Sequence, residues 1–136
     1  MLHRLRVIVE AAFYSLLIFR VLSGFLESIF IPKNVFFYAG ILLTHYATIL
    51  VCGFWTGLYI KVDGWLYSIA AFGLFYIFRQ IFNVYYPLPL STAIKILMLV
   101  PLLALLLIGA TYGEITAERR NENNKDDDKA ENITNS

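Results

Sequence analysis

Residues 34–60 run for 27 positions without a formal charge. A helix rising about 1.5 Å per residue makes such a run longer than a bilayer hydrocarbon core of about 30 Å, so a bilayer-crossing helix here has to tilt or protrude. The distribution of charge along the rest of the chain decides what can cover it. Of the 21 charged residues among 136, 11 lie in residues 114–136. The remaining 113 residues hold 10, about 9%, against about 25% in soluble domains. That stretch has too little polar surface to enclose a soluble globule, and no basic face for a nucleic acid. The chain is too apolar for a disordered regulator. We therefore expect an all-α integral membrane protein with about four transmembrane helices and a disordered, polar C-terminal tail.

The segments follow from apolar length and its interruptions. We place spans at about residues 7–31, 35–60, 65–82 and 92–112 within a transmembrane unit of residues 1–113, followed by a hydrophilic tail over 114–136. Lys61-Val62-Asp63-Gly64 is the one polar break between the second and third spans, and Asp-Gly suits a tight turn between antiparallel helices. Residues 83–90 contain Tyr85-Tyr86-Pro87-Leu88-Pro89, a pattern that favours extended backbone at an interface. In the fourth span Ser91 offers an N-cap, Lys95 lies near enough to the end to snorkel, and Pro101 cannot donate to the Leu97 carbonyl, so a kink is expected. The first span is apolar enough to insert but carries Glu10, Arg20 and Glu27. A cleaved signal peptide is its rival reading, opposed by Glu10 inside the apolar core and by the lack of a clear small-x-small site.

Few residues point to chemistry. Arg20 and Glu27 are seven apart, which returns to nearly the same helix face. They could line a substrate or ion path, form an interhelical packing pair, or snorkel to opposite interfaces. Glu10 lies near the other end of that segment and is read as interfacial. His45, in the middle of the uncharged run, could be a proton relay, a haem ligand or a metal ligand. The partners for a haem or a zinc ion are not supplied by the spacing, so a histidine hydrogen-bonded between two helices is the more ordinary expectation. Gly40, Thr44, Thr48 and Cys52 recur every fourth position, and Gly53 and Gly57 form a literal GxxxG pair. Both are helix-packing devices, within one chain or between two. Trp55 and Trp65 flank the Lys61–Gly64 turn as an aromatic belt would. Cys52 is the one cysteine, which precludes an internal disulfide. Asn132-Ile133-Thr134 matches a glycosylation acceptor, a match without meaning in a cytoplasmic tail.

No catalytic motif, metal constellation or cofactor motif was found, so neither a cofactor nor a metal is expected. The leading functional expectation is a non-catalytic accessory or assembly subunit. Its partners would be the lipid bilayer and other membrane proteins, or a second copy, and not nucleic acid. The alternative is a small oligomeric transporter or conduit using Arg20, Glu27 and His45. A membrane enzyme has the least support. With four spans, Arg4, Arg6, Lys61, Arg119 and Arg120 share one side and Lys33, Arg79 and Lys95 the other, which favours both termini in the cytoplasm. Reporter fusions after Lys33 and at the C-terminus should accordingly report opposite sides of the membrane. Finding both on one side would remove the four-span arrangement.

Overall fold

The computed structural model describes residues 1–84 and 89–134. Among these the chain is helical apart from short connections, with α1 at Leu2–Ile29, α2 at Val35–Tyr59, α3 at Gly64–Ile81, α4 at Thr92–Leu97 and α5 at Leu99–Thr134. No strand occurs among the described residues. Residues 85–88 of the expected interfacial loop lie outside them.

Each boundary has a local cause. Asn34 opens α2, its side-chain oxygen accepting from Phe37 N–H at 3.0 Å. Asp63 precedes α3 in the left-handed region at φ 59°, which Asp tolerates better than most residues. The first helix starts at Leu2, earlier than the apolar run implies. Its polar first turns are held by Arg6 Nε on Glu10 Oε1 at 2.6 Å and by Arg4 Nη1 donating to the Tyr67 hydroxyl at 2.7 Å. The interruption expected from Pro101 falls at Met98, between α4 and α5, one turn upstream of the proline and next to the carbonyl that it leaves without a donor.

The tail corrects the sequence expectation. Residues 114–134 are not coil but continue α5, a helix of 36 residues and about 54 Å. Past Gly113, among the described residues, only Ala117 is buried. Polarity removes the driving force for packing, not for helix formation. The tail has no Gly or Pro to break the helix and extends one already nucleated. Opposite charges also fall three apart at Arg119/Glu122, Glu122/Lys125, Lys125/Asp128 and Asp126/Lys129.

The long helices form a bundle in which successive helices run antiparallel and α2 packs on α1, α3 and α5; among the described residues α4 contacts only α5, the helix it leads into across Met98. Ala11 of α1, Ile49 and Cys52 of α2, Ala71 of α3, and Leu102 and Leu106 of α5 share one buried cluster. The α2–α5 crossing is the tightest feature. A Cβ on Gly53 or Gly57 would strike the backbone of Leu106 or Ala110, and one on Gly109 or Gly113 would strike that of Leu50 or Phe54. The GxxxG pair of α2 is thus matched by a second on α5 and is used within the chain. A Cβ on Gly40 would lie 3.1 Å from the Leu26 side chain of α1, and Thr44 and Thr48 are buried, with Thr48 bonded back to the Thr44 carbonyl at 2.7 Å. Thr56 and Ser68 tie α2 to α3 at 2.8 Å.

Small hydroxyl side chains share the interior with the apolar clusters, and many large apolar side chains lie outside. Ser15, Ser23, Thr48, Thr56 and Ser68 are at most 1% exposed, whereas Val21, Leu43 and Leu97 are each 70% exposed. By length and composition two helices qualify to cross a membrane, Val35–Tyr59 and the Thr92–Thr134 unit. Adding a methyl group at the crossing should be costly, because both sides are backbone. Gly57→Ala or Gly113→Ala should lower unfolding stability by about 1–3 kcal/mol. Gly73→Ala, where a Cβ meets nothing within 4 Å, should be neutral or stabilising by up to about 1 kcal/mol. Thermal unfolding in detergent, followed by circular dichroism, measures both.

Candidate functional site

The end of α3 builds the site. Asn83 adopts the left-handed region at φ 53°, its N–H bonding to the Gln80 carbonyl at 3.2 Å and that of Val84 to the Arg79 carbonyl at 2.9 Å. This is a Schellman closure. It folds the chain back so that the Val84 carbonyl accepts from Arg79 Nε at 3.1 Å. Arg79 is only 6% exposed, and its guanidinium carbon lies 4.6 Å from the Phe19 ring centroid and 5.5 Å from that of Tyr76. Such stacking suits a planar, weakly hydrated cation better than an ammonium.

Tyr76 stands one turn before Arg79 and meets His45 across the helix pair, Nε2 to hydroxyl, at 2.7 Å. Arg79 Nη1 reaches His45 Nδ1 at 3.4 Å. A guanidinium only donates, so Nδ1 is the acceptor, Nε2 carries the proton and the tyrosine oxygen receives it. Both ring nitrogens are therefore engaged, and in this arrangement the imidazole is neither a metal ligand nor an available base. The ring also packs on Phe75, with centroids 6.1 Å apart, and edge-on to Phe19.

These groups form one wall of a cleft of about 320 Å³ between α4 and the rest of the bundle. Thr92, Lys95 and Ile96 of α4 form the facing wall, and Ile41, Leu99 and Leu102 supply apolar lining. Two basic side chains, Arg79 and Lys95, reach the cleft, and none of its described lining residues is acidic. Such a wall favours anionic groups and disfavours a metal cation. Among the described residues no group of three His, Cys, Asp or Glu is placed to hold a metal.

The other sequence candidates lie elsewhere. Arg20 Nη1 approaches Glu27 Oε2 at 3.9 Å, and Lys33 Nζ approaches Glu27 Oε1 at 3.8 Å. This loose charge group lies outside the cleft, with the Arg20 side chain 57% exposed. Glu10 is paired with Arg6 near the start of α1. Of Arg20, Glu27 and His45, the structure brings the first two together and places the third apart from them. Arg79, Tyr76 and Lys95 were not among the sequence candidates as a site. The available signal was the i, i+3 spacing of Tyr76 and Arg79 on one helix face, overlooked because a basic residue near a span end reads as a topology marker.

A double-mutant cycle should separate the two charge groups. We expect His45→Phe and Tyr76→Phe to couple by about 0.5–1.5 kcal/mol in unfolding stability. Arg20→Gln and Glu27→Gln should couple by less than about 0.5 kcal/mol, since their approach is long and exposed. No protein-family model matches the chain, and neither a curated protein nor a solved structure matches it.

Proposed function

We propose that the chain is a four-span membrane protein with both termini cytoplasmic. In this reading it works without catalysis, as an accessory or assembly subunit in contact with other membrane proteins. The observation that carries it is the burial pattern, with hydroxyl and glycine surfaces set into the interior and many large apolar side chains exposed on α1, α2, α3 and the first half of α5. That outer surface is the solvent-facing layer a bilayer or a partner helix would cover. α1 and α3 complete the four spans as partners of α2, their charged groups lying at helix ends, in the Arg20–Glu27–Lys33 group or in the Arg79 cluster.

The separation of Arg20 from His45 supports contact over conduction. A conduit through Arg20, Glu27 and His45 needs the three on one path, and the first two sit on the outer side of α1. Partner contact has a direct test. Purification in mild detergent should yield a stoichiometric complex with a second membrane protein or another copy of this chain. Leu103→Cys or Leu107→Cys, at exposed positions of α5, should cross-link within that complex, while native Cys52 stays buried. Purified chain that carries solute across vesicle membranes as an oligomer, and stops on Arg20→Gln, would replace this reading with the conduit.

A further inference from the structure

We propose that the cleft between α4 and the bundle binds a membrane phospholipid through its anionic headgroup, with Arg79 and Lys95 on the phosphate and an acyl chain running toward Leu102. The proposal rests on the membrane reading above and adds a ligand to it. Three features select this chemistry. The first is charge: a guanidinium held almost completely buried on α3 and an ammonium on the facing α4 line one cavity, with no carboxylate among its described lining residues. A buried guanidinium in a low-dielectric wall favours a phosphate far more than it would in water, and an exposed ammonium on the facing wall adds to the attraction. The second is the polarity gradient. Arg79, Thr92 and Lys95 lie toward the end of the bundle that carries the α1–α2 loop, whereas Leu102 packs deeper, with Ile49 and Cys52. A ligand that fits both ends has an anionic head and an apolar tail. The third is access. Among the described residues α4 has no buried residue and makes no close approach to α1, α2 or α3, so its wall of the cleft is not sealed against the bundle. On the membrane reading, an unsealed wall admits a lipid from the bilayer.

The site's own architecture prepares it for this ligand. Val84 and His45 fix the guanidinium in place, and the Phe19 and Tyr76 rings flank it. Little side-chain freedom then remains to be lost on binding. Lys95 is exposed and joins from the facing wall.

The test uses the full-length chain in detergent and follows its thermal unfolding against added phosphatidylglycerol and against phosphatidylcholine of the same acyl chains. We expect phosphatidylglycerol to raise the unfolding temperature saturably and phosphatidylcholine to have little effect. Lys95→Gln should leave the lipid-free unfolding temperature unchanged and weaken the phosphatidylglycerol response about five-fold. Arg79→Lys, which keeps the charge but loses the planar fork, should weaken it too. Equal responses to both lipids would overturn the proposal, as would a phosphatidylglycerol response untouched by Lys95→Gln. Inorganic phosphate or palmitate giving the same stabilisation would assign the cleft to a free anion or a fatty acid and overturn the phospholipid. A co-purifying protein released by Lys95→Gln, with the lipid response intact, would give the cleft to a partner helix and overturn it as well. Alkaline carbonate extraction of cell membranes keeps the two readings distinguishable. Extraction of the chain into the soluble fraction would defeat both, whereas retention in the membrane without a phosphatidylglycerol response would defeat this one alone.

Discussion

Gly53 and Gly57 of α2 meet Gly109 and Gly113 of α5 with no side chain between the two backbones, and the rest of the bundle is arranged around that contact. Each glycine faces a carbonyl or amide of the opposite helix. The gain comes from dense van der Waals contact and from Cα–H groups set against carbonyl oxygens, forces that need no water to drive them. Once α5 is fixed against α2 at this level, Glu114 arrives over the first turn of α3, its Oε1 2.5 Å from where a Gly64 Cβ would stand. A carboxylate at a helix N-terminus is favourably placed against the exposed amides. The crossing therefore sets the depth of α3 as well as of α5. It also explains why α4 stands off, since the break at Met98 releases the chain just above the level at which α5 is clamped.

The legible part of the fold is the part governed by long-range apolar content. The expected second span, 35–60, differs from Val35–Tyr59 by one residue, and the third, 65–82, from Gly64–Ile81 by one at each end. Both are bounded by residues with strong local preferences, Asn34 at a cap and Asp63 at a left-handed turn. The start of α1 and the end of α5 were misjudged for a shared reason. Apolar content indicates what a helix can bury, and neither Arg4 and Arg6 nor the tail needs burial to stay helical. The Gly109/Gly113 pair was hidden because its flanks read as one uniform apolar run, whereas Gly53/Gly57 stood out among larger residues.

The candidate site was half legible. An imidazole in an uncharged 27-residue run must find polar partners, because leaving its nitrogens unsatisfied away from water is costly. That argument singles out His45 from the sequence. It does not name Tyr76 and Arg79, since their approach depends on how α3 is rotated against α2, and that rotation is set by Thr56–Ser68 and by Phe75 packing on Phe19. Arg20 and Glu27 illustrate the converse. Seven-residue spacing does bring them to one face, but sharing a face does not decide whether it points inward, and theirs points outward.

Arg79 bears most directly on what the cleft is for. Burying a guanidinium among Phe19, Phe75 and Tyr76 carries a desolvation cost of several kcal/mol that hydrogen bonds and ring contacts only offset. An apolar residue of similar volume would fill the same space beside Phe19 without that cost. A stability argument therefore does not account for a cation at this position. The α3 terminus is nevertheless shaped around it. The left-handed Asn83 turns the Val84 carbonyl onto Nε, and His45 presents its Nδ1 lone pair to Nη1 while its other ring nitrogen meets the Tyr76 hydroxyl. Val84 after α3 and His45 on α2 thus orient one charge, and the cavity it lines receives a second positive charge from Lys95. Preorganised charge facing a cavity is the arrangement that binds an ionic group at small further cost, because the reorganisation has been completed in folding. The same polar cluster that ties α2 to α3 therefore gives the cleft its sign.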